Sequence, residues 1–150
     1  MPGLATRCGV LKLVDRTNVL VFIFTLNPEF RLLLLKRTKE KGGFWQPVSG
    51  GIDPEETAFQ TVAREVREET GIDNFVRVIE LENTFTYRTD KDGVMMDMRD
   101  ICFAIEVEAM KEISLSEEHV EYRWCNLKEA EEFFRWELGV AGMKKLVDLI

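Results

Sequence analysis

The chain has 150 residues, of which 45% are apolar and 31% charged, and a formal net charge of −7. This size and balance suit one soluble globular domain that buries a core without disulfide or metal staples, and they exclude a disordered or collagen-like chain. The acidic balance argues against a surface that grips a nucleic-acid polymer by its phosphates, but it admits a small phosphorylated ligand held through a divalent cation. No apolar run approaches the roughly 18 residues needed to span a membrane. The opening MPGLATRCGV has neither the charged nor the apolar region of a signal peptide, so a cytoplasmic location is expected. Cys8, Cys102 and Cys125 are widely spaced and odd in number, which points to buried apolar filler rather than a disulfide framework.

In chain order, Thr6–Val14 reads as a first strand. Val19–Leu26 and Phe30–Lys36 are rich in Val, Ile, Phe and Leu, and the turn signal Asn27-Pro28-Glu29 between them predicts a hairpin. Thr38–Gly43 is polar and ends in two glycines, a loop. Phe44–Val48 is a short strand and Ser49–Asp53 a glycine loop. A helix follows, with Asp53 as N-cap, Pro54 in the first helical position and Glu56 three residues after the cap. Phe59, Val62, Ala63, Val66 and Thr70 recur at helical spacing as its buried face, and Gly71 ends it. Residues 75–89 and 95–109 read as strands separated by a turn at Thr89–Gly93, and Glu118–Cys125 as another strand. Leu127–Trp136 and Val140–Ile150 read as helices. The interspersed elements give a mixed α/β class with a sheet sandwiched by helices, without internal repeats or linkers.

The helix carries the chemistry. At about 100° per residue, Glu65, Glu68 and Glu69 share one stripe, pointing away from the apolar face. Carboxylates at this spacing repel each other, and a hard cation such as Mg²⁺ or Mn²⁺ relieves the repulsion and bridges to phosphate oxygens. A solvated acidic face is the plainer reading of the stripe alone. Ser49-Gly50-Gly51 runs into the helix start, where glycines let the backbone approach a ligand or a metal site.

The segment GGIDPEETAFQTVAREVREETGI, residues 50 to 72, resembles the Nudix box, G-x5-E-x7-R-E-U-x-E-E-x-G-U with U aliphatic. Gly50, Glu56, Arg64, Glu65, Val66, Glu68, Glu69, Gly71 and Ile72 stand at every fixed position. Seven fixed residue types at fixed spacing coincide by chance on the order of once in 10⁷ windows. The flanks FWQPVSGGIDPEE and LSEEHVEYRW resemble the subgroup of dihydroneopterin triphosphate pyrophosphohydrolases and diadenosine tetraphosphate hydrolases. The resemblance implies an α/β (α+β) Nudix fold, with a mixed sheet between helices and a loop-helix-loop catalytic motif, over a single domain of residues 1–150. One departure is visible: many members carry Pro-Gly-Gly where this chain has Val48-Ser49-Gly50.

What the resemblance implies can be taken residue by residue. Glu65 and Glu69 are direct ligands of Mg²⁺ or Mn²⁺, and Glu68 is a ligand or acts through water. The backbone carbonyl of Ser49 is a further ligand. Arg64 orients Glu65, and Glu56 braces the loop against the helix. Glu118, with Glu117 as runner-up, is the carboxylate outside the box that completes the site. Water attacks a phosphorus of a diphosphate bridge, with Glu68 or Glu118 as general base. Lys36, together with the Gly50 and Gly51 backbone, contacts substrate phosphate, while Arg88 and Arg123 are weaker candidates. Phe44, Trp45, Phe85 and Tyr87 are candidate stacking surfaces, with core packing as the default for each. His119, the one histidine, is expected as a hydrogen-bonded structural residue. The expected substrate is a nucleoside triphosphate or related triphosphate, dATP-like or dihydroneopterin triphosphate-like, cleaved to monophosphate and pyrophosphate. The alternatives are a dinucleoside polyphosphate hydrolase and a non-catalytic nucleotide-binding domain. The expected partner is a small phosphorylated molecule, with no nucleic-acid polymer and no membrane, and the protein is a monomer or homodimer.

Overall fold

The computed structural model describes residues 14–134 and 137–150. The expected strand Thr6–Val14, apart from Val14, and Cys8 lie outside the described residues. Strand β1 spans Arg16–Thr25 and β2 spans Arg31–Arg37. A single helical turn at Lys39–Lys41 leads to the short strands β3 (Trp45–Gln46) and β4 (Val48–Gly51). Helix α1 covers Ala58–Thr70. The long strands β5 (Arg77–Lys91) and β6 (Val94–Glu106) form a hairpin, and β7 covers His119–Cys125. Helices α2 (Leu127–Phe133) and α3 (Glu137–Leu149) follow.

The strands form one mixed sheet. β1 runs parallel to β6, from the pair Arg16–Met98 to the pair Phe24–Glu106. The expected hairpin of β1 and β2 is present, but the two strands pair only from Ile23–Leu33 to Thr25–Arg31. Beyond that point they diverge, and the stretch carrying β3 and β4 fills the fork: β3 pairs with β2, and β4 pairs with β1. β7 pairs with β2 on its other side. The expected glycine loop Ser49–Asp53 is therefore strand through Gly51, because Asn18–Val21 of β1 offers it an edge.

Period-two alternation along β1 supplies both halves of the core. Val19, Val21 and Ile23 pack with Val62 and Val66 of α1, whereas Leu20, Phe22 and Phe24 pack with Ala130 of α2 and with Met143 and Leu146 of α3. Helices thus cover both faces of the sheet. The thiols of Cys102 and Cys125 are buried in the second half, and burial pushes each up to about 12. Among the described residues, no helix is long and apolar enough to cross a membrane.

Helix α1 departs from expectation at its start. Its N-cap is Thr57 rather than Asp53, with a reciprocal capping box between Thr57 and Gln60. Asp53 instead opens a separate turn, its carbonyl accepting from the Glu56 N–H at 3.0 Å. Two cap-like sequences stand four residues apart, and the second has the hydroxyl and amide spacing that satisfies two orphan helix donors. Phe59, expected on the buried face, is 53% exposed, with its ring edge against Phe103. Gly71 closes the helix in the left-handed region, at φ 81°. Thr57→Ala should lower unfolding free energy by about 1 kcal/mol in urea titrations, the usual worth of an N-cap. Asp53→Ala should cost less than half as much; the reverse ranking would return the cap to Asp53.

Candidate metal and phosphate site

Arg64 is the hub of the box. Its Nε and Nη2 donate to the two oxygens of Glu56 at 2.7 and 2.8 Å, a paired fork contact. Nη1 donates to Glu65 at 2.7 Å and to Glu68 at 3.3 Å, while Nη2 also reaches the Gly51 carbonyl at 3.2 Å. Glu56 additionally accepts from Thr61 Oγ1 at 3.0 Å and from the Asp53 N–H at 3.3 Å. The Arg64 hydrogen bond holds the Glu56 carboxyl at about 2, and Glu56 in turn raises Arg64 above its ordinary value. Glu56 therefore ties loop to helix through Arg64, not as the third residue of a capping box.

The expectation that the glutamate stripe points away from the apolar face is overturned for Glu65 and Glu69. Glu65 is 9% and Glu69 3% exposed, on the same inward face as Val62 and Val66. They are buried because β4 passes beside α1 without side chains in the way: a Cβ on Gly50 would overlap the carboxyl group of Glu65. Burial lifts Glu69 well above the usual carboxylate range, helped by its hydrogen bond to Glu65 and by the charges of Glu65 and Glu118, and opposed by the Ser49 backbone N–H. Behind Glu69 lies His119, also buried, with Nδ1 3.8 Å from the Glu69 carboxylate and Nε2 3.1 Å from Gln46 Nε2. Burial pushes His119 down to about 4, leaving it neutral at neutral pH.

This donor set fits a hard divalent ion. Two desolvated carboxylates face each other with no arginine or lysine between them, and the space a Gly50 side chain would fill is given to one of them. The fold itself brings together Glu65, Glu69 and the Ser49–Gly50 backbone. Glu68 and Glu118 stand at the rim, Glu68 held by Arg64 and Glu118 3.8 Å from Lys41. Among the described residues, no three acidic, imidazole or thiol groups already point at one centre.

Other expected contacts lie apart from the glutamates. Lys36 pairs across the sheet with Trp45 and Glu121. Arg88 lies 3.9 Å from Asp97, and Arg123 lies 3.8 Å from Glu129 and over the Phe133 ring. Trp45 packs on Phe133, and Phe44 lies under the guanidinium of Arg37. Tyr87 belongs to a polar cluster that sequence reasoning missed. Its hydroxyl donates to Asp100 at 3.1 and 3.2 Å, Asn18 Nδ2 donates to Asp100 at 2.9 Å, and Arg16 Nε donates to Asn18 at 3.0 Å. Asn18 and Asp100 are 6% and 7% exposed, and burial raises the Asp100 carboxyl. The signal was available: both sit in the inward-facing rows that continue as Leu20, Phe22 and Phe24, and as Cys102 and Ala104.

Comparison with known proteins matches residues 16–147 to the NUDIX domain family. The chain is 30% identical over 132 residues to an octanoyltransferase from Myxococcus xanthus, covering 88% of this chain but 35% of that protein. The chain thus spans about a third of that relative's length. It is 32% identical over 133 residues to the asymmetrical bis(5'-nucleosyl)-tetraphosphatase of Rattus norvegicus, covering 87% of this chain and 84% of that one. Among solved structures, the dihydroneopterin triphosphate pyrophosphohydrolase of E. coli superposes with a TM-score of 0.76 at 25% identity, covering 93% of this chain and 100% of that one.

Glu56 and Glu69, the perturbed carboxylates of the box, respond to pH in opposite directions. Glu56, depressed in the folded state, contributes stability that is present above 4.5 and lost as pH falls toward 2. Glu69, raised in the folded state, makes the metal-free protein lose stability as pH rises above 4.5, because the unfolded chain releases the proton first. Urea midpoints measured in a chelator across this range should fall on the alkaline side. In Glu69→Gln that fall should flatten, and an unchanged slope would remove the buried-acid assignment.

Proposed function

The chain belongs to the NUDIX domain family, and from that premise we propose that residues 1–150 act as one metal-dependent pyrophosphohydrolase domain. The reaction is hydrolysis of a diphosphate linkage in a nucleoside triphosphate or related triphosphate, dATP-like or dihydroneopterin triphosphate-like, to a monophosphate and pyrophosphate. The observation that carries this reading is the burial of Glu65 and Glu69 against the side-chain-free Gly50, braced by the Arg64–Glu56 fork.

Glu65, Glu69 and the Ser49 carbonyl would hold Mg²⁺ or Mn²⁺, joined by Glu68 and Glu118 from the rim. The ion supplies charge neutralisation at phosphate oxygens and lowers the pKa of water. Arg64 fixes the rotamer of Glu65 and holds Glu68 within reach of the same centre. Glu68 or Glu118, each more than half exposed, is the general base, able to approach an incoming water. The Gly50 and Gly51 backbone borders the substrate.

The polyphosphate tail needs cations, and an acidic chain that gathers them in one place supports this part of the reading. Lys91 is pushed below its ordinary range by burial and by the charges of Arg16, Arg37 and Lys41, with Asp92 opposing, so it lies in the field of other cations. Arg37 also buries its Nε without a hydrogen-bond partner. These residues take the phosphate role that the sequence assigned to Lys36. The substrate ring lies on the sheet face carrying Phe85, Tyr87, Asn18 and Asp100, where a carboxylate and an amide offer polar partners to a ring edge.

A dinucleoside polyphosphate hydrolase is the second reading, favoured by the similarity to the rat tetraphosphatase. The two are separated by a panel of triphosphates and dinucleoside polyphosphates with Mg²⁺ or Mn²⁺, reading phosphate, pyrophosphate and nucleotide products. Pyrophosphate plus monophosphate from a triphosphate is the expected outcome. Fastest turnover of a dinucleoside polyphosphate would favour the second reading, and binding without turnover across the panel would leave only a nucleotide-binding domain. Glu65→Gln and Glu69→Gln should each cut kcat by more than the roughly 10–100-fold typical of losing an outer partner of a metal ligand.

A further inference from the structure

We propose that His119 is a positioning residue for Glu69, its Nδ1–H aimed by Gln46 at the Glu69 carboxylate. The proposal rests on the metal-dependent reading of the site and deepens it.

The observation is an orphan. His119 Nδ1 is buried without a hydrogen-bond partner, in a side chain 1% exposed. Buried ring nitrogens are nearly always satisfied, so an unpartnered one needs a reason. The other ring nitrogen decides which hydrogen is where. Gln46 Nε2 lies 3.1 Å from His119 Nε2, and an amide nitrogen only donates. His119 Nε2 therefore presents its lone pair, and the single proton of the neutral ring sits on Nδ1. That N–H faces Glu69 Oε1 across 3.8 Å. With Glu69 ionised, as ion binding requires, the reverse amide orientation would turn the Nδ1 lone pair toward an anionic oxygen, so the ion-bound state selects the same tautomer.

The three residues come from three elements. Gln46 is on β3, His119 opens β7, and Glu69 is on the last turn of α1. Each is less than a tenth exposed. Glu69 is thus bounded by Glu65 on one side, the Ser49 N–H on another and the imidazole behind it. A carboxylate with one oxygen anchored keeps the other aimed, which is how outer hydrogen bonds orient metal-ligating groups. A small rotation of the carboxylate brings 3.8 Å down to the roughly 2.9 Å of an N–H···O bond. The anchored oxygen is Oε1, leaving Oε2 for the ion.

Because His119 is the one histidine in the chain, the test is direct. Long-range ¹H–¹⁵N correlation spectra of tag-free, ¹⁵N-labelled protein report which ring nitrogen carries the proton. The expected result is the Nδ1–H tautomer, with the Nδ1 proton moving downfield when Mg²⁺ is added. An Nε2–H tautomer, or an imidazole that does not respond to the ion, would overturn the proposal without any variant having to fold. Calorimetric Mg²⁺ titration adds the second arm. His119→Ala should weaken Mg²⁺ binding about 10–100-fold. His119→Asn, which keeps an amide donor at the Nδ1 position, should recover most of it. Wild-type affinity in both variants overturns this role alone. A wild-type protein that binds neither Mg²⁺ nor Mn²⁺ overturns the metal-dependent reading and this role with it, whatever the tautomer.

Discussion

Two acidic side chains buried one helical turn apart set the terms for the rest of this protein. Glu65 and Glu69 lie on the inward face of α1, where an apolar pair would pack without penalty. Removing a carboxylate from water costs several kcal/mol unless hydrogen bonds or an opposite charge compensate, and two together repel as well. The surroundings supply part of that compensation. Arg64 donates to Glu65, so the two acids are inequivalent: one is paired with a guanidinium, the other with the first glutamate, the Ser49 N–H and an imidazole. The asymmetry suits a cation site, since a pair fully neutralised by arginines would have no attraction left for an ion.

The sheet is shaped to make this burial possible. If β1 and β2 stayed paired along their length, β4 would have no edge to occupy. Because they part after Ile23–Leu33, β4 lies along β1 and places Gly50 opposite Val19, on the face that α1 covers. Glycine there is a matter of space rather than backbone freedom, since the Glu65 carboxylate sits where a Cβ would be. A strand that is poor in side chains costs packing, and the flanking Val48 and Val19, both buried, recover it in the α1-side core.

Much of this was legible in the sequence, for reasons that differ by feature. The hairpin of β1 and β2, the long β5–β6 hairpin and the existence of α1 follow from local periodicity and turn chemistry, so each was placed within a few residues. The start of α1 was misplaced because Asp53-Pro54 and Thr57-x-x-Gln60 both carry cap signals, and only hydrogen bonding distinguishes them. The glutamate stripe was readable as spacing but not as burial. A helical wheel shows which residues share a face, whereas the partner of that face, here Gly50 and His119, comes from strands distant in sequence. Asn18 and Asp100 were missed for the same reason. Asp100 is a polar interruption in an inward row, a signal without a stated partner until β1 and β6 are paired in parallel. The phosphate contact expected of Lys36 was read from its place at the end of an apolar strand; across the sheet it pairs with Trp45 and Glu121.

Gly51 joins the two regions of the site. Arg64 of the box donates to its carbonyl, and Arg16 lies against its α-carbon, with a would-be Cβ 2.5 Å from Nη2. Arg16 is itself held by Asn18, which is held by Asp100 and through it Tyr87. One residue without a side chain is therefore in contact with arginines from opposite faces of the sheet. The face that carries Asn18 and Asp100 is built from β1, β5 and β6, none of which contributes a glutamate to the buried pair. Side chains on that face can change without disturbing the geometry around Glu65 and Glu69, which α1 and β4 fix. On the proposed metal-dependent reading, such separation lets one acidic helix serve many substrates. It also explains why the box identifies the bond to be broken far better than the molecule that carries it.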